Sequence, residues 1–102
     1  MSTELVHNYL RGQNLEQVGR VEEATELYET AVRGSFDSAG PYDRLIAIYS
    51  TQARHRDVER VANAALRHVR THEAKRESYR RAREEALKAA TRLPQAAPKN
   101  RA

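Results

Sequence analysis

The spacing that comes nearest to a reactive site is His68-Val-Arg-Thr-His72. Two histidines four apart can share one helix face and bind a metal through their ring nitrogens. The segment lacks the glutamate that zinc hydrolases place beside such a pair. Arg67, Arg70 and Arg76 would also repel a cation, and Thr71 is placed to end the helix between the two rings. No metal site is expected. Glu22, Glu23 and Glu26 form a concentrated carboxylate group. Acid–base catalysis would need them in a closed pocket with shifted pKa values, whereas the positive end of a helix accounts for them directly. There is no glycine-rich phosphate loop, and His7, Ser35 and Asp37 stand in no catalytic frame. The chain has no cysteine, which excludes a disulfide framework, a thiolate metal site and a cysteine nucleophile. The expectation is a protein that is not an enzyme and carries no cofactor.

What remains is the chemistry of charge. Residues 1–53 hold four Arg against eight acids, a balance of −4, and residues 54–102 hold fourteen Lys and Arg against six acids, a balance of +8. Such a dipolar chain fits an acidic partner for its second half, or head-to-tail self-association. Arg76, Arg80 and Arg83 lie along one helix edge by their spacing, and forked Arg donors suit phosphates. Tyr79 is placed to stack on a base. Glu73, Glu77, Glu84 and Glu85 interrupt this field.

The elements that must carry these residues are all helical. The first helix is expected over about 3–18, capped by Ser2 or Thr3, with Leu5, Val6, Tyr9, Leu10, Leu15 and Val18 as its apolar positions. Gly19 and Arg20 make a turn, and the second helix runs over about 21–33 on Val21, Ala24, Leu27, Tyr28, Ala31 and Val32. Gly34 to Gly40 reads as a loop with Gly34 as a helix C-cap. Pro41 opens the third helix, which carries Tyr42, Leu45, Ile46, Ile48 and Tyr49. A turn near 55–57 precedes the fourth helix, with Asp57 as its N-cap. Thr71 is the expected cap of a fifth helix over about 72–93, with Tyr79, Ala82 and Ala86 on its stripe. The domain is therefore 1–93, followed by a Pro-rich, basic, disordered tail, 94–102. No apolar stretch approaches the roughly 20 residues of a membrane span. The N-terminus has no basic stretch leading into an apolar run, so no signal peptide is expected and the expected location is cytoplasmic.

An internal repeat runs through this pattern. Segments 20–33 and 57–70 match at an offset of 37 through Val21/Val58, Glu22/Glu59, Val32/Val69 and Arg33/Arg70, and Tyr42/Tyr79 share that offset. Gly12, Leu15, Ala24, Tyr28 and Ala31 follow the small–bulky–small–aromatic–small spacing of the tetratricopeptide repeat, with Gly19 at its turn glycine and Tyr42, Leu45 and Tyr49 on the first helix of a second unit. Over about residues 4–90 the chain resembles that family. The second unit fits two registers. A 34-residue period puts Val58, Ala62 and Ala65 at the family positions; a 37-residue period, preferred on the internal matches, puts Val61, Ala65 and His68 there with an extra turn in the hairpin.

The resemblance implies an all-α fold: antiparallel helix-turn-helix repeats stacked into a right-handed superhelix, closed by a C-terminal capping helix. It also implies a concave groove that binds a peptide or helix of a partner, which makes the chain a protein-binding adaptor. The groove lining would be Val6, Tyr9, Gln13 and Glu16 from the first helix, Asp43, Arg44, Ala47 and Ser50 from the third, and Lys75, Arg76 and Arg80 from the fifth. Chaperone-binding members grip a C-terminal carboxylate with Lys and Asn. Tyr9, Gln13 and Arg44 stand at those places, so that clamp is not preserved. Arg44 with Lys75 or Arg76 would instead hold an acidic segment. The alternatives are a nucleic-acid-associated protein acting through the Arg-rich second half, and a self-assembling homo-oligomer.

Overall fold

The computed structural model describes the backbone of residues 3–99 and the side chains of residues 3–92, so the expected tail, 94–102, lies outside the described side chains. Five helices follow in order: α1 (Thr3–Gln17), α2 (Val21–Arg33), α3 (Gly40–Thr51), α4 (His55–His68) and α5 (Glu73–Lys99). Among the described residues there is no strand, and the chain is all-α as its periodicity predicts. Each helix packs on its neighbours in sequence, giving a slab of 54 × 33 × 18 Å.

The apolar stripes meet in one core. Ala24, Tyr28 and Ala31 of α2, Tyr42, Leu45 and Tyr49 of α3, Val58, Val61 and Ala65 of α4, and Tyr79 and Ala86 of α5 are buried. α1 stands at an end of the slab and fully buries only Gly12, while Leu5, Val6, Tyr9 and Leu15 are half-covered. Phe36 folds into the core from the α2–α3 loop, its ring 5.9 Å from that of Tyr9. Alanine lines much of the seams, and Tyr28, Tyr42 and Tyr79 are the largest fully buried side chains.

Gly34 is the C-cap of α2 as expected, at φ −84°, and Ser35 takes the left-handed turn after it, at φ 61°. The Leu5 side chain occupies the space a Cβ on Gly34 would need. Other loops and helix ends differ from expectation. α4 starts at His55, so the turn comes earlier than 55–57. Asp57 lies inside the first turn of α4, where it pairs with Arg54 instead of capping. Ahead of α5 the capping side chain is His72, not Thr71: its Nδ1 accepts the Lys75 N–H at 3.3 Å, and its carbonyl accepts from Arg76. Finally, α5 continues past the expected end at 93.

The turns of the α1–α2 and α3–α4 pairs recur at an offset of 34, not at the preferred 37. The Arg20 N–H bonds the Leu15 carbonyl at 2.9 Å, and the Arg54 N–H bonds the Tyr49 carbonyl at the same 2.9 Å. Gly19 (φ 85°) and Ala53 (φ 57°) take the left-handed position of these two turns, and Arg20–Glu23 and Arg54–Asp57 pair just after them. All of these correspondences fall 34 apart. Tyr42 and Tyr79 remain 37 apart because α5 starts about one turn further ahead of its tyrosine than α3 does.

Gly12 permits the α1–α2 approach: a Cβ there would lie 2.7 Å from Tyr28 Cε1. We expect Gly12→Leu to destabilise the fold by about 1–3 kcal/mol through overpacking. Nothing lies near Gly19, so Gly19→Ala should cost about 1 kcal/mol from backbone conformation alone. Urea denaturation of both variants checks this. A Gly12→Leu midpoint equal to wild type would remove the close contact as a determinant of the fold.

Candidate functional site

Asp43 and Arg44 are neighbours on α3, and their side chains reach in opposite directions. The Arg44 guanidinium forks onto Glu16 of α1, with Nε at 3.1 Å from Oε1 and Nη2 on Oε2. Asp43 accepts a hydrogen bond from Lys75 Nζ at 2.7 Å and one from the Tyr79 hydroxyl at 2.9 Å, both on α5. The Lys75 ammonium also lies 5.2 Å from the Tyr79 ring centre, within cation–π range. α1, α3 and α5 are thus bridged across one face, with α3 in the middle.

Between the bridges the surface is shallow, and Glu22 and Glu85 are its acids without an ion pair among the described residues. Gln13 and Gln17 share a depression of about 320 Å³ with Glu16 and Arg44. Ala47 lines an adjoining one of about 370 Å³ with Val21, Ile48, Thr51 and Gln52, and Glu22 stands on its edge beside the Glu16–Arg44 pair. Ser50 stands at the rim of a third, about 330 Å³, whose apolar part is Ile46, Val58, Ala82, Ala86 and Ala89 and whose polar rim adds His55 and Glu85. Val6 is half-buried beside this face.

The expected groove residues therefore divide. Gln13, Glu16, Arg44 and Ala47 come together, and Asp43 and Lys75 meet across the next seam. Tyr9 serves packing: its ring sits 6.0 Å from that of Tyr28 and fills the space beside Gly40, and its hydroxyl accepts from Gln13 Nε2 at 3.0 Å. Arg76 turns away to α4 and donates to the Leu66 carbonyl at 3.1 Å. Arg80 is held by Glu73 and Glu77 on its own helix. The cations nominated for an acidic guest, Arg44 and Lys75, already have carboxylate partners.

Sequence reasoning missed a recurring arrangement. A buried tyrosine donates its hydroxyl to a carboxylate, which a cation also grips. Tyr28 donates to Glu16 at 2.8 Å, beside Arg44; Tyr49 donates to Glu29, beside Arg60; Tyr79 donates to Asp43, beside Lys75. Sequence separations of 12, 20 and 36 hide these bonds from any helical period. Tyr79 is 2% exposed and cannot stack on a base. His68 ends α4 while His72 precedes α5, so they do not share a helix, and among the described residues no three His, Asp or Glu side chains converge.

The arrangement shifts both kinds of acid. The hydrogen bond from Arg44 holds the Glu16 carboxyl below its ordinary range, against a smaller opposing effect of burial. At Glu29 burial pushes upward, but bonds from Arg60 and Tyr49 outweigh it and the carboxyl is lowered. Burial, reinforced by Glu29, pushes the Tyr49 hydroxyl up to about 12, and burial raises Tyr28 and Tyr79 as well. These hydroxyls stay protonated and remain donors.

Compared with family models, curated proteins and solved structures, the chain has no match.

The shifts contribute at both ends of the pH–stability curve. Carboxyls lowered by folding stabilise above their unfolded pKa, about 4.3, and that contribution disappears as pH falls through the folded value. Hydroxyls raised by folding stabilise below their unfolded value of 10, and the contribution is lost as pH rises, for Tyr49 between 10 and about 12. Thermal melts across pH should fall away at both ends. Glu16→Gln should flatten the acid limb, and Tyr49→Phe the alkaline one. An unchanged alkaline limb in Tyr49→Phe would show that this hydroxyl does not carry it.

Proposed function

We propose that the protein is a small adaptor of the tetratricopeptide-repeat type, which holds an extended segment of a protein partner across the face made by α1, α3 and α5. The 34-residue recurrence of turn hydrogen bonds and left-handed residues supports the repeat reading. So does the Gly12–Tyr28 contact, a small residue admitting an aromatic between paired helices. α5 then serves as the cap: Tyr79 and Ala86 face inward, while Arg81, Glu84 and Lys88 keep its outer side in water.

The observation that carries the binding reading is the internal pairing of charge on this face. With Glu16–Arg44 and Asp43–Lys75 closed, the groups left to meet a guest on α1 and α3 are Gln13, Gln17, Ala47, Ser50 and Thr51, with Gln52 and the α2 carboxylate Glu22 at the edge. Amide side chains can bond an extended backbone, and Ala47 lets it come close. The guest is accordingly proposed to be uncharged where it crosses α3, in place of the acidic segment expected from Arg44 and Lys75. Binding by this route involves no catalysis.

The test is a nuclease-treated pull-down from host lysate with tagged wild type and tagged Ala47→Arg, followed by mass spectrometry. A defined protein should be retained by wild type and reduced at least roughly tenfold by Ala47→Arg, since a bulky cation at the centre of a small interface removes a large share of its energy. Equal retention by both would place the partner elsewhere and overturn the groove reading.

A further inference from the structure

The cations differ in whether a carboxylate holds them. Arg20, Arg44, Arg54, Arg56, Arg60, Lys75 and Arg80 each pair with a carboxylate. Among the cations with no carboxylate partner in the described residues, Arg11, Arg33, Arg81, Lys88 and Arg92 lie along α1, α2 and α5, while Arg67, Arg70, Arg76 and Arg83 gather around the C-terminal half of α4. Arg76 donates to the Leu66 carbonyl and Arg83 to Asn63 Oδ1 at 3.3 Å, which ties both α5 guanidiniums to the α4 surface one turn apart. Arg67 sits next to Leu66 and one turn on from Asn63. Arg70 follows in the linker, its N–H on the Asp37 carbonyl at 3.2 Å. Arg67 and Arg70 are exposed and share a depression of about 450 Å³ with His68 and one carboxylate, Asp37.

The negative end of α4 accounts for one such cation, because its field fades within a turn. It does not account for four. Each guanidinium has five N–H donors, so the single bonds made by Arg76 and Arg83 leave most of their donors unused. We infer that this surface docks the phosphate backbone of duplex nucleic acid, independently of base sequence. A row of forked cations at helix-turn spacing matches a row of phosphates. Duplex is favoured over single strand because the tyrosines that would stack on bases are buried or, for Tyr9, packed between Tyr28 and Phe36. It is favoured over a membrane because, among the described residues of α4 and α5, only Leu87 is a large exposed apolar side chain.

The test is fluorescence anisotropy with a labelled DNA duplex of about 20 base pairs, titrated at several salt concentrations; four phosphate contacts give a log–log salt slope of roughly −3.6. Arg67→Glu/Arg70→Glu, both at exposed positions, should weaken binding at least roughly tenfold at about 50 mM salt. Arg20→Glu/Arg33→Glu changes the net charge equally and should have little effect. Ala47→Arg should bind the duplex as wild type does, which separates this surface from the groove. Circular dichroism confirms that each variant folds. Absence of duplex binding at low salt, equal loss in the two charge-reversed variants, or tighter binding to single strands or phosphatidylserine vesicles would each overturn the inference.

Discussion

Burying a phenol without a partner for its hydroxyl is costly, and this chain buries four almost completely: Tyr28, Tyr42, Tyr49 and Tyr79. Tyr42 is satisfied by the Phe36 carbonyl at 2.6 Å. The other three point at the edge of the core and donate to carboxylates from neighbouring helices. A carboxylate drawn that close to an apolar layer needs a cation in turn, and Arg44, Arg60 and Lys75 supply it. The consequence is topological. Tyr28, Glu16 and Arg44 join α2, α1 and α3; Tyr49, Glu29 and Arg60 join α3, α2 and α4. These two networks span the interface between the α1–α2 and α3–α4 hairpins, and the third joins α5 to α3.

The tyrosines can take these positions because small residues make room for them. Gly12 admits the Tyr28 ring and Gly40 the Tyr9 ring. A chain with 39% apolar residues and a single Phe has few other ways to fill a core. Large rings set into glycine and alanine seams supply volume, and their hydroxyls make the fold depend on ionised groups. Exposed ion pairs contribute little to stability, typically under about 1 kcal/mol. Here their value lies in orientation: each holds a carboxylate where a buried hydroxyl can reach it.

Much of this was legible in the sequence. The helix stripes, the turn at Gly19, Pro41 in the first turn of α3 and the inward faces of Tyr28, Tyr42 and Tyr79 follow from periodicity and turn chemistry, which are local properties. The 34-residue register did not, because the strongest letter matches, such as Val21 with Val58, lie at 37. The turn that fixes the register has Gly at one copy and Ala53, in a strained left-handed conformation, at the other. The site was legible only as a set of positions. That Arg44 and Lys75 are already paired depends on contacts between helices 28 and 32 residues apart, which no pattern along one helix encodes.

The charge asymmetry along the chain acquires a different meaning in three dimensions. Two of the three tyrosine networks join a carboxylate of the acidic half to a cation of the basic half, Glu29 with Arg60 and Asp43 with Lys75. Part of the opposite charge of the two halves is therefore spent inside the fold: Asp43–Lys75 closes on the face formed by α1, α3 and α5, and Glu29–Arg60 closes between α2 and α4. The unspent charge is displaced to other places. Glu22 and Glu26 remain on α2 without an ion pair among the described residues, beside a depression of about 690 Å³ that Arg33 and Arg54 also line, and four of the unpaired arginines collect at the end of α4. A quiet face and a charged end cannot favour the same ligand. Long-range attraction would bring a polyanion to the end of α4, while the face between α1 and α5 can select only by shape and by hydrogen bonds at contact. The networks that satisfy buried tyrosines thereby give one small domain two chemically distinct surfaces.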